Sequence, residues 1–424
     1  MSSRIPGFKD FSIEERHNEL VSQTQLSDGD LMAYSSSGGL SAAQANHMVE
    51  NVIGTMGIPT GIATNLIVNG RDILVPMATE EPSVIAAASN LARVARPHGG
   101  FAASSSRPLM QAQVQVLDVV DPNAARLRLL AASDELIELA NSQDPALVHL
   151  GGGVREVGVR LVPSSRQTYV VVHLTVDVRD AMGANAVNTM AEAIASRVGE
   201  IARGRTLLRI LSNKADQRLA RASAVFDADQ LGGAEVVENM LDAAAFAEAD
   251  PYRAATHNKG IMNGVIAVAL ATGNDTRAVE AGAHSHAVDA HGTYSALSHF
   301  EKDADGNLVG SLELPMAVGL VGGATKVHPT AQANVKLLDV QTAGQLAEVI
   351  VAVGLAQNAA ALRALAAEGI QRGHMDLHAR NIASVAGADG DEIDSVVQQM
   401  IADNAIREDY AVEVLNRIRG QAET

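Results

Sequence analysis

The chain has 424 residues, with 32 Lys and Arg against 49 Asp and Glu, a formal charge of −17 with histidine neutral. So acidic a molecule repels a nucleic-acid backbone before any base is read. The absence of cysteine excludes disulfides, thiolate nucleophiles, iron–sulfur clusters and cysteine-bound zinc.

Aromatic residues make up only 3 %, so cores must be built from Ala, Val, Leu, Ile and Met. At about 100–200 residues per domain, the length suggests two or three domains. The longest unbroken apolar stretches, residues 314–324 and 349–356, fall short of the roughly 18–20 residues of a spanning helix. The first residues hold no apolar core of signal-peptide length. A soluble, cytoplasmic globular protein is expected, with no membrane and no nucleic-acid partner.

The first fifth reads as helical, with turn signals at residues 35–39 and 57–59. Residues 62–68 and 72–77 flank Asn69-Gly70-Arg71 and read as a hairpin, because Asn-Gly takes the positive φ that strand twist favours. Pro82 is placed as the first residue of a helix running to about Arg96, which Pro97-His98-Gly99-Gly100 ends. Residues 111–120 alternate like a strand and 123–141 form an amphipathic helix. Residues 154–162 and 169–178 are β-branched runs, 184–202 is a second helix, and 206–212 is another strand. This β-α-β-β-α-β order is the split βαβ, ferredoxin-like pattern, expected over residues 108–213. After Asp216 the chain returns to helical stretches at 236–249, 258–272 and 344–368, with a strand-like run at 309–313. The last segment opens on a histidine pair and carries a turn or hinge at Ala386-Gly387-Ala388-Asp389-Gly390. A small terminal module of this kind is placed to move as a lid.

Four groups of residues can carry chemistry. His374 and His378 stand at i, i+4, one face of a helix, as zinc proteases require. Met375 occupies the position where that signature needs glutamate. A metal site, a solvated or capping pair, and an acid–base histidine on a mobile element therefore stay open. Glu80-Glu81 either complements the helix dipole or includes a proton donor kept protonated by its surroundings. Lys259 lies among small residues and reads as an oxyanion stabiliser, a Schiff-base amine or a structural ion pair with Asp275, sixteen residues on. Asp180-Ala181-Met182-Gly183-Ala184-Asn185 places glycine at a strand-to-helix turn, where helix N–H groups can meet a diphosphate or the glycine serves geometry alone. The histidines at 284, 286, 291 and 299 lack acidic or cysteine partners at ligand spacing and read as surface or interface.

Taken together, these motifs resemble bacterial class II 3-hydroxy-3-methylglutaryl-CoA (HMG-CoA) reductase over nearly the whole chain. The resemblance is carried, in the family's order, by residues 50–54 (ENVIG), 80–83 (EEPS), 180–185 (DAMGAN), 250–264 (DPYRAATHNKGIMNG), 273–275 (GND), 319–326 (GLVGGATK) and 373–378. It implies an α+β architecture. Residues 1–107 and 214–369 would form a large, mainly helical domain for HMG-CoA binding and dimerisation. Residues 108–213 would be an inserted ferredoxin-like dinucleotide-binding domain, and 370–424 a C-terminal helical flap.

The resemblance also implies four-electron interconversion of HMG-CoA with mevalonate and coenzyme A, through mevaldyl-CoA and mevaldehyde and at the expense of two dinucleotides. Glu81 matches the proton-donating glutamate, Lys259 the oxyanion-stabilising lysine, Asp275 the aspartate bonded to both, and His374 the flap histidine that protonates the departing thiolate. Ser83, Arg253, Asn263, Asn358 and His378 match contacts to the HMG moiety. Asp180, Met182, Gly183, Asn185 and Asn213 match dinucleotide contacts, and Asp144 an acidic position facing the adenosine ribose. An aspartate there favours a 2′-hydroxyl over a 2′-phosphate, so NAD(H) is expected in preference to NADP(H), with no metal. The family's active site lies between subunits, so the implied assembly is a homodimer or a larger array such as a trimer of dimers. Two other classes compete: a catalytically silent acidic scaffold of the same fold, and a zinc hydrolase using His374 and His378.

Overall fold

The computed structural model describes residues 2–35, 39–367, 379–380, 382–403 and 405–422. Among the described residues ten strands fall in two sheets: β1 (Thr60–Val68), β2 (Arg71–Ala78), β3 (Phe101–Ser105), β4 (Leu109–Leu117), β5 (Gly153–Pro163), β6 (Thr168–Asp177), β7 (Arg205–Ser212), β8 (Leu219–Phe226), β9 (Ser298–Lys302) and β10 (Leu308–Pro315). The expected hairpin is present. Asn69 and Gly70 take φ of 51° and 75°, and β1 pairs antiparallel with β2. The helix that follows is Val84–Ala95 and begins later than expected. Pro82 lies outside it, and Ser83 adopts a left-handed φ of 73° as the N-cap, without a capping side-chain bond. A non-glycine residue in that region is strained and marks a place held for another purpose.

The large sheet runs in the order β2-β1-β3-β8-β10-β9. Its middle strands escape the sequence reading because they are poor in β-branched residues: β3 is Phe-Ala-Ala-Ser-Ser, and β8 buries Ala220, Ala222 and Ala224. Small side chains there let the 25-residue helix Ala343–Ala367 lie against β3, β8 and β10. By length and composition that helix could cross a membrane, but 72 % of its most apolar window is buried within the fold. It crosses helix Pro251–Ala271 with glycine on both sides. A Cβ on Gly264 would stand 2.9 Å from Cβ of Gln357, and one on Gly354 would stand 2.8 Å from Val265. This close approach sets Asn263 of one helix beside Gln357 and Asn358 of the other.

The smaller sheet has the order β5-β6-β4-β7, with every neighbouring pair antiparallel. Helices Pro122–Ala131, Ser133–Asn141 and Ala184–Ala202 accompany it. The single helix expected at 123–141 is two helices, broken at Ala132. The order β-α-β-β-α-β with this strand arrangement is the ferredoxin-like topology. Val187, Met190, Ala191, Ile194 and Val198 bury one stripe of Ala184–Ala202 and share a core with the sheet that is separate from the large one. Near the C-terminus, helices Asp391–Ala402 and Glu408–Ala422 enclose a further small core around Val396, Met400, Val414 and Leu415.

Candidate active site

Helix Pro251–Ala271 begins at Asp250, whose carboxylate accepts the Arg253 N–H at 2.8 Å, with Pro251 in the first turn. From there Arg253, Thr256, His257, Gly260 and Asn263 recur at helical spacing and line one cavity of about 800 Å³. The opposite wall is the start of helix Val84–Ala95 with Glu81 and Ser83, and the floor is Gln357 and Asn358. The cavity therefore gathers Glu81, Ser83, Arg253, Lys259, Asn263 and Asn358, six of the expected residues drawn from three distant parts of the chain.

At its mouth the Lys259 ammonium donates to Glu81 Oε2 at 2.7 Å, and Asn263 Nδ2 donates to Glu81 Oε1 at 3.2 Å. The glutamate thus belongs to a cation–carboxylate–amide cluster and does not cap the helix. Lys259 is 60 % exposed within one chain. The buried ion pair with Asp275 weighed from the sequence is absent. Asp275 instead caps helix Thr276–His286 by accepting the Ala278 N–H at 3.1 Å. The cause is the continuous helix: twelve residues separate Lys259 from its last residue, Ala271, which amounts to about 18 Å of axial rise. His374 and His378 lie outside the described residues. Among the described residues, no group of three His, Asp or Glu side chains is arranged to hold a metal.

Buried polar atoms normally find partners, so the exceptions are informative. Among the described residues six buried side-chain atoms have none. Four of them belong to residues lining this cavity: Ser83 Oγ, His257 Nδ1, Gln357 Oε1 and Asn358 Nδ2. The site is thus built for a ligand that offers several polar groups. His257 and Gln357 are not among the residues expected from the sequence. The signal for His257 was its position four residues after Arg253, on the face of the helix that lines the cavity. Burial, with the Arg253 guanidinium adding to it, pulls the His257 pKa down to about 4.

A second cluster sits where β6 leads into helix Ala184–Ala202. Gly183 opens that helix at φ 102°, with no side-chain cap and no acid in the first turn, which leaves its first N–H groups open to an anion. A Cβ on Gly319 would fall 2.4 Å from the Met182 N–H, so the Gly319 segment lies directly on this loop. Arg218, 4 % exposed, donates to the carbonyls of Ala181, Met182 and Val318 and joins the two. Asp180 accepts the Ala343 N–H at 2.8 Å and so ties the loop to the long core helix. Asp144 caps the short helix Pro145–His149 through the Leu147 N–H. A Cβ on nearby Gly152 would stand 2.7 Å from the Asp177 carbonyl at the end of β6. Asn185, in the first turn of helix Ala184–Ala202, and Asn213, just after β7, are both exposed.

Residues 12–379 match the family described as hydroxymethylglutaryl-coenzyme A reductase. A 3-hydroxy-3-methylglutaryl-coenzyme A reductase of Archaeoglobus fulgidus is 57 % identical over 419 residues, covering 99 % of this chain and 95 % of its own. A probable enzyme of the same description from Borreliella burgdorferi is 33 % identical, covering 97 % and 95 %. Among solved structures, the reductase of Streptococcus pneumoniae superposes with a TM-score of 0.83 at 39 % identity, covering 97 % of this chain and 99 % of that one. A second structure of that class II enzyme, bound to NADPH in open conformations, gives 0.82 at 40 % identity, covering 85 % and 99 %. The chain belongs to the hydroxymethylglutaryl-coenzyme A reductase family, on its class II branch.

Proposed function

We propose that the chain reduces the thioester of HMG-CoA to the primary alcohol of mevalonate, with release of coenzyme A, in two hydride steps. The observation that carries this reading is the Lys259–Glu81–Asn263 cluster at the mouth of a cavity whose buried polar atoms lack protein partners. When bound, a nicotinamide dinucleotide supplies each hydride. The open first turn at Gly183 and the Asp180–Asn213 region suit its diphosphate and nicotinamide portions. Lys259 stabilises the negative charge that forms on the carbonyl oxygen in each step. Glu81, bonded to that ammonium, passes a proton to the aldehyde oxygen in the second reduction. His374 protonates the departing thiolate, and the segment 370–424 closes over the site as a flap, with His378 near the HMG moiety.

A lysine that is 60 % exposed works in a high dielectric, where an ammonium stabilises an oxyanion only weakly. The site therefore needs cover, and the reading supplies it from the flap and from a second copy of the chain. That copy also brings Asp275 to Lys259, which the straight helix prevents within one chain. The working unit is a homodimer, and the domain division is 1–107 with 214–369, then 108–213, then 370–424. The reaction is placed in the cytoplasm.

For the cofactor, Asp144 supports NAD(H), since its carboxylate accepts from a ribose 2′-hydroxyl and repels a 2′-phosphate. The Streptococcus pneumoniae relative binds NADPH, so the test is direct. Comparing kcat/KM with NADH and NADPH should favour NADH in the wild type, and Asp144→Ala should narrow that ratio. A wild-type preference for NADPH overturns the assignment.

A further inference from the structure

His257, Ser298 and Asn358 form a buried hydrogen-bonded chain that none of the roles above uses in full. His257 Nε2 lies 2.7 Å from Ser298 Oγ, and Ser298 Oγ donates to Asn358 Oδ1 at 2.7 Å. The three residues are 2 %, 4 % and 1 % exposed. A serine hydroxyl has one hydrogen, and an amide oxygen can only accept. With that hydrogen given to Asn358, the Ser298 oxygen is left to receive the N–H of His257 Nε2. The imidazole then has a bare lone pair at Nδ1, and Asn358 keeps an N–H at Nδ2. Both atoms are buried without protein partners, and both residues line the cavity. Ser298 thus fixes the polarity of the site, with an acceptor from one helix and a donor from the other.

We infer that His257 is the residue that reads the tertiary 3-hydroxyl of the substrate, accepting its proton at Nδ1. The inference rests on the reading that this cavity holds the HMG group. Carboxylate, thioester and phosphate oxygens bring only lone pairs and are repelled by Nδ1. A hydroxyl satisfies both groups, donating to Nδ1 while it accepts from Asn358 Nδ2. The acyl group has one hydroxyl, and its carboxylate is drawn to the Arg253 guanidinium. Burial keeps the ring neutral, so the acceptor persists across the working pH range.

The test compares dissociation constants of HMG-CoA and of 3-methylglutaryl-CoA, which differ only in the hydroxyl, in the wild type, His257→Gln and His257→Asn. Glutamine carries its amide at the level of Nε2 and keeps the Ser298 contact while removing the acceptor. Asparagine carries its amide at the level of Nδ1 and keeps the acceptor. The wild type should prefer HMG-CoA by about tenfold or more, the effect of leaving a buried acceptor unpaired. His257→Gln should reduce the preference to within about twofold, and His257→Asn should retain most of it. A glutamine variant with the wild-type preference overturns the proposal. Should that variant fail to fold, the 15N spectrum of wild-type His257 decides. The proposal requires an unprotonated Nδ1 that shifts with HMG-CoA and not with the deoxy analogue; a protonated Nδ1 overturns it. A wild type that does not reduce HMG-CoA would count against the functional reading itself. One that reduces it but binds both thioesters equally overturns this inference alone.

Discussion

Lys259 is held by one carboxylate, and that carboxylate by one amide, so each residue of the cluster has a separable effect. Both hydride steps create charge on oxygen. Lys259→Ala should therefore lower kcat for HMG-CoA and for free mevaldehyde alike, by about a hundredfold or more. His374→Gln should spare mevaldehyde, which has no thiolate to protonate. Near-normal mevaldehyde reduction by Lys259→Ala, or equal losses for His374→Gln in the two assays, would contradict these roles. His257 carries a pH prediction of its own. Its folded pKa is about 4 against an ordinary 6.5, so between those values the unfolded chain binds a proton that the folded chain refuses. Stability contributed above pH 6.5 is lost as pH falls towards 4, by about 3 kcal/mol. Denaturant titrations at several pH values should show a shallower acid loss for His257→Gln than for the wild type; parallel curves would contradict the shift. At this scale Glu81, Ser83, Arg253, Lys259 and Asn263 were legible in the sequence because their motifs are dense, and Asn358, outside those motifs, through the family resemblance alone. Ser298 and Gln357 were not, because they meet the site only through tertiary packing, and His257 was marked only by its spacing of four residues from Arg253.

At the scale of elements, the cavity depends on two glycine-bearing helices meeting at Gly264 and Gly354, and the loop proposed for the dinucleotide depends on Arg218. The guanidinium binds three carbonyls from two segments. Arg218→Met would leave them unpaired, at about 1–3 kcal/mol for the buried Val318 carbonyl and less for the part-buried carbonyls of Ala181 and Met182. The loop at Asp180–Gly183 should then lose its register. The expected result is a lower Tm and a raised KM for the dinucleotide, with the KM for HMG-CoA unchanged. Equal change in both KM values would show a general loosening instead. Hairpin β1–β2, strands β4 to β7 and helix Ala184–Ala202 were readable because turn chemistry and β-branched alternation agree with the fold. Strands β3 and β8 escaped because tertiary packing against the long helix selects alanine and serine, whose own strand preference is weak. The late start of helix Val84–Ala95 was hidden for a related reason. Pro82 suits a first helical turn, but the site requires Ser83 in a left-handed turn that local preference opposes.

At the scale of the whole molecule, the proposed site takes Asp275 from a second copy of the chain, because within one chain the continuous helix Pro251–Ala271 carries the backbone away from Lys259. Lys259→Ala and Asp275→Asn should each be nearly inactive alone. Mixed by refolding together, half of the dimers pair one of each and carry one intact site, so about a quarter of wild-type activity should return. No recovery would place Asp275 within its own subunit's site, against the helix geometry. The most direct measurement of the central claim is the ratio of dinucleotide oxidised to coenzyme A released by the wild-type protein with HMG-CoA. Two per coenzyme A is the predicted result. A ratio of one would mean that reduction stops at the aldehyde, and no oxidation by a folded dimer would contradict the account.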